Sequence, residues 1–308
     1  MTSICILGIY VADLVFFADK IPSHGESVLG QEHVIGPGGK GSNQSVAVAK
    51  AGGKINFISK IGNDPYGEIA IQMYKESNVD TSNVIISKDY KTGVAGILVN
   101  KQTGENAITV VPGAAGKITK EDIDQSSDAI KQSSVFLTQL EVPIDVVEYA
   151  IEIAKSNNVT TILNPGPAAK LQDKTFELID YFTPNETEAS FYVNHKVETQ
   201  EELKKASNQL LEKGIKNIII TLGEKGAYFA NNNESFMVDA FDLKNKVVDT
   251  TGAGDAFNAG LAVALTEGKN IKDAIQFANA VGGLSATKIG TAKSMPLREE
   301  IDNLLKLL

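Results

Sequence analysis

The chain has 308 residues, of which 43% are hydrophobic and 22% are charged, a composition typical of a globular protein with a large core. Its 38 acidic residues outnumber its 29 basic ones, and the net charge of -9 argues against a nucleic-acid or anionic-membrane surface. The single cysteine excludes an intrachain disulfide and favours a reducing compartment. We find no basic, apolar leader and no apolar run near the ~20 residues that span a bilayer. The composition therefore predicts a cytoplasmic α/β protein.

Short apolar runs alternate with amphipathic stretches along the chain. The runs predict strands at residues 4–8, 55–61, 135–140, 160–163 and 218–222. Between them, Asp64 followed by Pro65 marks one helix start, and Thr199 with Glu202 forms a capping box at another. Because a crossover helix returns the chain to the same edge of a sheet, this alternation predicts parallel pairing. We expect a doubly wound, mainly parallel sheet flanked by helices.

Two segments, residues 11–35 and 93–111, break this alternation because no helix separates their strands. The second contains a hairpin loop at 101–105. We expect both to form antiparallel ribbons of a small sheet that projects from the main one. One apolar face of such a sheet needs a substrate or a second subunit to cover it. No repeat or flexible linker divides the chain, so we predict a single domain, residues 1–308, with the small sheet as a lid.

A glycine-rich segment at residues 36–44 leads into a helical stretch that we expect from Ser45. Its glycines match the G-x-G-x-x-G spacing of a dinucleotide site, but the segment follows a ribbon rather than the first strand. A P-loop is also excluded, because Lys40 is followed by Gly41 where Ser or Thr is required. Lys40, Asn43 and the free amides of a helix start suit a polyhydroxyl or anionic ligand. The alternative is a tight turn that binds nothing.

A second glycine-rich segment, residues 248–257, leads into an apolar helix that we expect at 256–267. Amides at this helix start would point at an anion, which the helix dipole also favours. Asp255 lies among these amides, where a carboxylate that merely capped the helix would repel a phosphate. As the acceptor of a proton from an attacking hydroxyl, the same carboxylate is well placed. The segment therefore predicts phosphoryl transfer with Asp255 as general base, and a capping aspartate is the alternative.

Four motifs, in this order, resemble those of the ribokinase family of carbohydrate kinases, the group that includes fructokinases and adenosine kinase. They are Gly38-Gly-Lys-Gly-Ser-Asn43, Asn185-Glu-Thr-Glu188, Thr221-Leu-Gly-Glu-Lys-Gly226 and Asp249-Thr-Thr-Gly-Ala-Gly-Asp255. The resemblance runs from end to end and is closer to the ribose branch than to the nucleoside or hexose branches. It implies a ribokinase-like fold and ATP-dependent phosphorylation of the 5-hydroxyl of a pentose, either ribose or 2-deoxyribose.

The resemblance also implies roles for individual residues. Asp255 would be the catalytic base, and the amides of Gly252, Ala253 and Gly254 would form the anion hole for the transferred phosphoryl group. The residues implied to contact the sugar are Val11, Asp13, Gly39, Lys40, Asn43, Glu141 and Asp255. The residues implied to contact the nucleotide are Asn185, Thr221, Gly223, Lys225, Gly226, Gly254 and Asn279.

Metal ions and a second subunit are implied by the same resemblance. Glu188 would hold the region of Mg²⁺, its water and the phosphates. A monovalent cation, usually K⁺ in this branch, would lie beside the anion hole with several backbone carbonyls as ligands. The residues implied to surround it are Asp249, Thr251, Ser285, Lys288, Gly290 and Ser294. The two ribbons correspond to the family's lid, which also forms its dimer contact, so a homodimer through the lid is expected.

One position departs from the family pattern. Where the family has an asparagine that helps to bind the sugar hydroxyls, this chain has Val11, in Gly8-Ile-Tyr-Val-Ala-Asp13. A buried hydroxyl without a partner costs about 1–3 kcal/mol, which corresponds to roughly tenfold to hundredfold in affinity. An apolar residue costs little if the substrate lacks that hydroxyl. We therefore hypothesise that 2-deoxyribose or another altered pentose competes well with ribose.

Other functions remain as alternatives at this point. A nucleoside kinase of the same family would need lid residues that stack a base, and Phe16 and Phe17 are candidates although alternation places them on opposite faces. A sugar-binding regulatory protein without turnover is the alternative from another class, and the retained Asp255 argues against it. A dinucleotide enzyme is the weakest alternative.

Overall fold

The computed structural model describes residues 3–307, in which strands and helices alternate over most of the chain. The strands are β1 Ile4–Leu7, β2 Val11–Ala18, β3 Glu32–Gly38, β4 Ile55–Gly62, β5 Val84–Ser87, β6 Thr92–Asn100, β7 Asn106–Gly113, β8 Val135–Thr138, β9 Thr160–Leu163, β10 Tyr181–Phe182, β11 Asn217–Thr221, β12 Ala227–Asn231 and β13 Ser235–Val238. The helices are α1 Lys40–Lys50, α2 Pro65–Glu76, α3 Lys120–Gln125, α4 Ser127–Lys131, α5 Ile144–Ser156, α6 Asp173–Phe176, α7 Glu186–Val193, α8 Gln200–Glu212, α9 Ala253–Thr266, α10 Ile271–Ser285 and α11 Arg298–Leu305. Within residues 3–307, none of the helices combines the length and the apolar character that crossing a membrane requires.

The main sheet has the strand order β13-β12-β11-β10-β9-β8-β1-β4-β5. Strand β1 pairs in parallel with both β4 and β8, with Ile4 opposite Ile55 and Val135. Among the described strands of this sheet, β12 alone runs in the opposite direction, because it pairs antiparallel with both β11 and β13. The expectation of a mainly parallel, helix-flanked α/β sheet is thus confirmed.

Two separate hydrophobic cores cover the two faces of this sheet. Successive side chains of a strand point to opposite faces, and β1 accordingly places Ile4 and Ile6 in one core and Cys5 and Leu7 in the other. Helices α1, α2, α9, α10 and α11 pack on the first face, and α3 to α8 pack on the second. Helices α1 and α9 therefore lie on the same side of the sheet.

The small sheet has the order β3-β2-β6-β7. Its outer pairs, β2 with β3 and β6 with β7, are the antiparallel ribbons predicted from the sequence. A parallel pairing of β2 with β6 joins the ribbons, with Asp13 opposite Ala95. The predicted accessory sheet is present, and we refer to these four strands as the lid.

Two helices begin earlier than the sequence suggested. Helix α1 starts at Lys40 rather than at Ser45, and α9 starts at Ala253 rather than at residue 256. The physical reason is the residue before each start: Gly39 has φ 90° and Gly252 has φ 79°, values that glycine adopts without strain. The chain can therefore turn sharply and enter the helix at once, which places Lys40 and Asp255 in the first helical turns.

Candidate active site

The candidate site lies where the parallel strands end at their carboxyl edge, the usual ligand-binding edge of open α/β sheets. The loops after β1, β8, β9, β10 and β11 meet the first turns of α1 and α9 there. Polar residues at or after these strand ends are Glu141, Asn164, Asn185 and Thr221, and Asp13 lies on strand β2.

Asp255 lies in the first turn of α9 with its carboxylate buried and hydrogen-bonded on both oxygens. The Asn43 amide donates to Oδ2 at 2.9 Å, and the Gln44 amide donates to Oδ1 at 3.3 Å. Burial raises the pKa of Asp255, while the charge of Lys40 and the two amide hydrogen bonds act in the opposite direction. The carboxylate is thus directed into the site and is a better proton acceptor than an exposed aspartate.

The start of α9 leaves room for a ligand beside Asp255. No side chain caps this helix start among the described residues. A Cβ built on Gly254 would have no atom within 4 Å, so the space next to the first turn is open. Uncapped amides at a helix N-terminus attract anions. The Gly252–Gly254 turn therefore combines an uncapped helix start with open space, the geometry that the predicted anion hole requires.

Three charged groups surround this carboxylate. The negative charge of Asp255 is the main cause that raises the pKa of Lys40, and burial acts in the opposite direction. The charges of Glu141 and Glu188 raise it further. The backbone amide of Lys40 donates to Glu141 Oε2 at 2.8 Å, which ties the start of α1 to the loop after β8. Burial raises the pKa of Glu141 to about 7, with Lys40 opposing the shift and Asp255 adding to it. The site thus holds one lysine among several carboxyl groups.

Asp13 approaches the same region from lid strand β2. Its carboxyl oxygens would lie 2.2–2.4 Å from a Cβ on Gly38, so a larger residue there would displace this carboxyl group. The next residue, Gly39, would press a Cβ to 2.6 Å from the Ile9 carbonyl oxygen. Burial raises the pKa of Asp13 to about 6. Gly38 and Gly39 therefore leave space for the carboxyl group of Asp13, which belongs to the lid.

Val11 lies two residues before Asp13 and hence on the same face of β2. It is 2% exposed and pairs with Gly38 on one side and Gly93 on the other. A Cβ on Gly93 would lie 2.9 Å from Val11 Cγ1, so the valine side chain fills the space over this glycine. The wall of the site next to Asp13 is consequently apolar.

Six of the seven residues implied to contact the nucleotide lie together at the other end of the edge, and the seventh, Gly254, lies at the start of α9. Asn185 and Thr221 form an isolated parallel bridge between the ends of β10 and β11. Gly226, with φ 96°, would bring a Cβ to 2.1 Å from the Val238 carbonyl oxygen. The Asn279 amide donates to the carbonyls of Val238 and Asp239, both at 3.1 Å. Gly223 and Lys225 belong to the single turn between β11 and β12.

Asn185 and Glu188 form a capping box at the start of α7. Asn185 Oδ1 accepts from the Glu188 amide at 2.8 Å, and Glu188 Oε2 accepts from the Asn185 amide at 2.9 Å. The second carboxylate oxygen, Oε1, would lie 2.7 Å from a Cβ on Gly166, and Lys40 Nζ lies beside the same point. Burial raises the pKa of Glu188, and the hydrogen bond from Asn185 counteracts it. One carboxylate oxygen thus stabilises the helix and the other faces the site.

The residues implied for the monovalent cation lie on two loops joined by one carboxylate. Asp249 accepts from the Thr251 amide and from the Gly290 amide, each at 2.9 Å. The side chains of Ser285 and Ser294 donate to carbonyls within their own turns, at 2.8 and 2.6 Å. Lys288 pairs with Glu300 through its ammonium group. The Asp249 carboxylate, the serine hydroxyl oxygens and the backbone carbonyls of these loops are the oxygens that could face a cation. Within residues 3–307 no group of three His, Cys, Asp or Glu side chains could hold a metal ion.

Two buried glutamines of the site escaped the sequence analysis, whereas Asn164 was considered as a residue that could line the same crevice or belong to a rigid turn. Gln139 donates to Gln44 Oε1, and Gln44 in turn reaches Asp255. Asn164 Nδ2 donates to the Thr183 carbonyl at 3.1 Å. Both glutamines were adjacent to predicted positions, Gln44 beside Asn43 and Gln139 two residues before Glu141. Nothing in a single sequence distinguishes a buried glutamine from an exposed one, so only the packing identifies them.

Comparisons with known proteins agree with this arrangement. The model of the pfkB family carbohydrate kinases matches residues 1–298. The chain is 39% identical to a ribokinase of Haemophilus influenzae over 298 residues, covering 97% of this chain and 96% of that protein. It is 33% identical to a deoxyribokinase of Salmonella typhi over 305 residues, covering 99% of each. The structure of Arabidopsis thaliana ribokinase complexed with ribose and ATP has a TM-score of 0.94, 28% identity and 99% coverage of both chains. The chain therefore belongs to the pfkB family of carbohydrate kinases.

Proposed function

We propose that this kinase transfers the γ-phosphoryl group of ATP to the 5-hydroxyl of a pentose, with D-ribose as the first candidate. The observation that carries the proposal is the buried Asp255 carboxylate at the uncapped start of α9, next to Asn43 and Lys40. Ribokinases among the relatives, and a neighbouring ribokinase structure with ribose and ATP, support the choice of substrates. A regulatory protein without turnover would have no need for a buried acid at this position.

In the proposed reaction, the sugar lies between the lid and α1. Asp13, Asn43 and Glu141 would bind its hydroxyls, together with the backbone at Gly39 and the ammonium group of Lys40. The 5-hydroxyl transfers its proton to Asp255 while its oxygen forms a bond to the γ-phosphorus. The bond between that phosphorus and the β,γ-bridging oxygen breaks, and ADP leaves. Amides of Gly252, Ala253 and Gly254 would stabilise the charge on the transferred group.

The buried Asn43 Oδ1 supports a polar ligand at this place. The Asn43 amide group donates to Asp255, but its carbonyl oxygen is buried without a hydrogen-bond partner. Leaving a buried acceptor unpaired costs about 1–3 kcal/mol, and a sugar hydroxyl would supply the missing donor. Because the nitrogen of the same amide group donates to Asp255, a hydroxyl bound to this oxygen would lie near the carboxylate that is proposed as the base.

We propose that the nucleotide occupies the edge formed by Asn185, Thr221, Gly223, Lys225, Gly226 and Asn279. The capping box leaves one oxygen of Glu188 directed to the site, which suits an Mg²⁺ ion that keeps most of its waters and is held by one carboxylate and the phosphates. When bound, Mg²⁺ neutralises charge on the transferred phosphoryl group. Lys40 and Glu188 would then orient the phosphates from the protein side.

A K⁺ ion between the loops 249–251 and 285–294 is a further part of the proposal. The Asp249 carboxylate joins these loops through two backbone amides, so an ion bound at this place would act on the turn that leads to Gly252. Oxygen ligands of one carboxylate and several carbonyls suit a large monovalent cation. A bound K⁺ ion would thus affect the position of the anion-hole amides without contacting the sugar.

Val11 supports an extension of the substrate range to 2-deoxyribose. The valine is buried and apolar next to Asp13, so one sugar hydroxyl on that side has no side-chain partner from position 11. The similarity to a deoxyribokinase at 33% identity is compatible with this extension. We also propose that the lid pairs with a second lid in a homodimer, because Val34, Ile108 and Val110 leave apolar surface exposed on it. The use of ATP and the single cysteine support a cytoplasmic location.

A coupled ADP-release assay tests the proposed function. The panel contains ribose, 2-deoxyribose, hexoses and adenosine, each with KCl or NaCl, and the Asp255→Asn variant serves as the negative control. We expect turnover with free pentoses and little with nucleosides. Turnover confined to nucleosides, or none with any sugar despite sugar binding, would refute the proposal.

A further inference from the structure

Behind Asp255, two glutamine side chains and an asparagine form a buried amide chain. Gln44 and Gln139 are 0% and 1% exposed, and Asn164 is 8% exposed. Gln44 Nε2 lies 3.3 Å from Asp255 Oδ1 and 3.4 Å from Asn164 Oδ1, and Gln139 Nε2 donates to Gln44 Oε1. The three residues come from α1, the loop after β8 and the loop after β9, so the chain ties three separate segments to the carboxylate.

The direction of each hydrogen bond follows from chemistry. An ionised carboxylate only accepts hydrogen bonds, so Gln44 must turn its NH₂ group to Asp255. Its carbonyl oxygen then points away and needs a donor, which is the NH₂ group of Gln139. Asn164 accepts from Gln44 with its carbonyl oxygen and donates to the Thr183 carbonyl at 3.1 Å. Every amide in the chain therefore has one orientation.

The backbone holds Gln139 in place. A Cβ on Gly8 would lie 2.4 Å from Gln139 Oε1 and 2.6 Å from the Cα of Gly41. A Cβ on Gly41 would lie 3.0 Å from the same oxygen. The two glycines thus allow α1 to approach the end of β1 closely, and the Gln139 amide lies against this crossing with its carbonyl oxygen unpartnered.

We propose that Gln44 and Gln139 are positioning residues that hold the Asp255 carboxylate in the orientation needed to accept the proton of the sugar hydroxyl. The inference rests on the proposed role of Asp255 as the base. Gln44 contacts the carboxylate directly, and Gln139 acts only through Gln44. Asn43 holds the other oxygen but also faces the proposed sugar site, so its removal would affect binding as well.

The expected effect is on the pH profile of turnover. Asp255 is faced by Lys40 from α1, Glu141 from the loop after β8 and Glu188 from α7, in addition to the two amides. Since the Gln44 hydrogen bond lowers the pKa of Asp255, its loss should move the acidic limb of kcat to higher pH. At saturating sugar and ATP, the groups that bind substrate are occupied, and kcat reports the group that acts in the complex.

The test compares Gln44→Met, Gln139→Met and the double variant, using single-turnover rates and kcat between pH 5 and 9. We expect Gln44→Met to lower kcat about tenfold to hundredfold, the range for loss of a hydrogen bond to a charged group, with the KM for ribose little changed. Gln139→Met should give a smaller loss in the same direction. The double variant should equal Gln44→Met, because residues acting in series are not additive.

A matched control is Ser45→Ala, which removes a buried hydroxyl whose hydrogen bond among the described residues goes to the Gly41 carbonyl, at 2.8 Å within the same helix. It should leave the acidic limb where it is in the wild type. Unshifted limbs in both glutamine variants, or additive losses in the double variant, would overturn the proposal. If Gln44→Met does not fold, the position of the acidic limb of kcat in Gln139→Met alone tests the proposal. If Asp255→Asn is inactive and both glutamine variants behave like the wild type, the positioning role of Gln44 and Gln139 is refuted, but the role of Asp255 as base is not. If Asp255→Asn is fully active, the role of Asp255 as base is itself refuted.

Discussion

Glu141 should make the free energy of unfolding depend on pH, in addition to its proposed role in binding the sugar. Burial raises the pKa of Glu141 from its ordinary value of 4.5 to about 7, even though Lys40 lies nearby. A carboxyl group with a raised pKa stabilises the fold fully below about pH 4.5, and this contribution is lost as the pH rises through about 7. Above pH 7 the native protein therefore holds an ionised carboxylate at a net cost.

The size of this effect follows from the two pKa values. A shift from 4.5 to about 7 corresponds to about 3 kcal/mol at pH 8 and about 1 kcal/mol at pH 5, taking 1.36 kcal/mol for each pKa unit. Glu141→Gln removes the charge and keeps an oxygen that accepts from the Lys40 amide. Relative to the wild type, the free energy of unfolding of the variant should therefore be about 2 kcal/mol higher at pH 8 than at pH 5.

Urea unfolding at pH 5 and pH 8 measures this difference, with the free energies obtained by linear extrapolation. Glu234→Gln, which removes the same charge from an exposed loop, is the control and should show no such increase. A Glu141→Gln variant that is equally stabilised at both pH values, or is destabilised at pH 8, would refute the reasoning. Its sugar affinity should fall even as its stability rises, since the charged oxygens are proposed to accept hydroxyl hydrogens.

Three further predictions concern catalysis and specificity. Asp255→Asn should lower kcat by about 10²–10⁴-fold, the usual effect of losing a general base, while calorimetry shows sugar and ATP still bound; unchanged turnover would remove Asp255 from its role. Val11→Asn should raise the ratio of kcat/KM for ribose over 2-deoxyribose by about tenfold, through one added hydrogen bond, and an unchanged ratio would place the missing hydroxyl elsewhere. Asp249→Ala removes the carboxylate that accepts from the Thr251 amide in its own loop and from the Gly290 amide in the other cation loop, so rates in KCl and NaCl should become equal; a persisting K⁺ stimulation would contradict the proposed cation site.

The sequence was informative wherever local chemistry decides the structure. Asp64 before Pro65 predicted a helix start, and the carboxylate does accept from the amides of Tyr66 and Gly67. Thr199 and Glu202 form the predicted capping box. The alternation of strands and helices predicted the parallel sheet, because a helix between two strands returns the chain to the edge at which the first strand began. The lid ribbons were predicted for the converse reason, the absence of a helix between their strands.

Long-range packing explains what the sequence could not predict. The starts of α1 and α9 depend on glycines whose positive φ angles are not visible in a sequence. The parallel pairing of β2 with β6 joins segments about 80 residues apart in the chain. Gln44 and Gln139 become part of the site only because the crossing of Gly8 and Gly41 brings their segments together. The site residues quoted from the family motifs, by contrast, lie at the predicted edge of the sheet.

The glycine crossing at Gly8 and Gly41 has a consequence for how this family can change its substrates. Because the main chains touch there, side-chain repacking in either core cannot alter the spacing between α1 and the end of β1. Asp255 and the amides behind it are held to this rigid crossing, whereas Asp13 and Val11 arrive on a separate sheet. Laboratory evolution directed at the lid could therefore explore new sugars while the chemical step is preserved. Substitutions at the two glycines should abolish every activity alike.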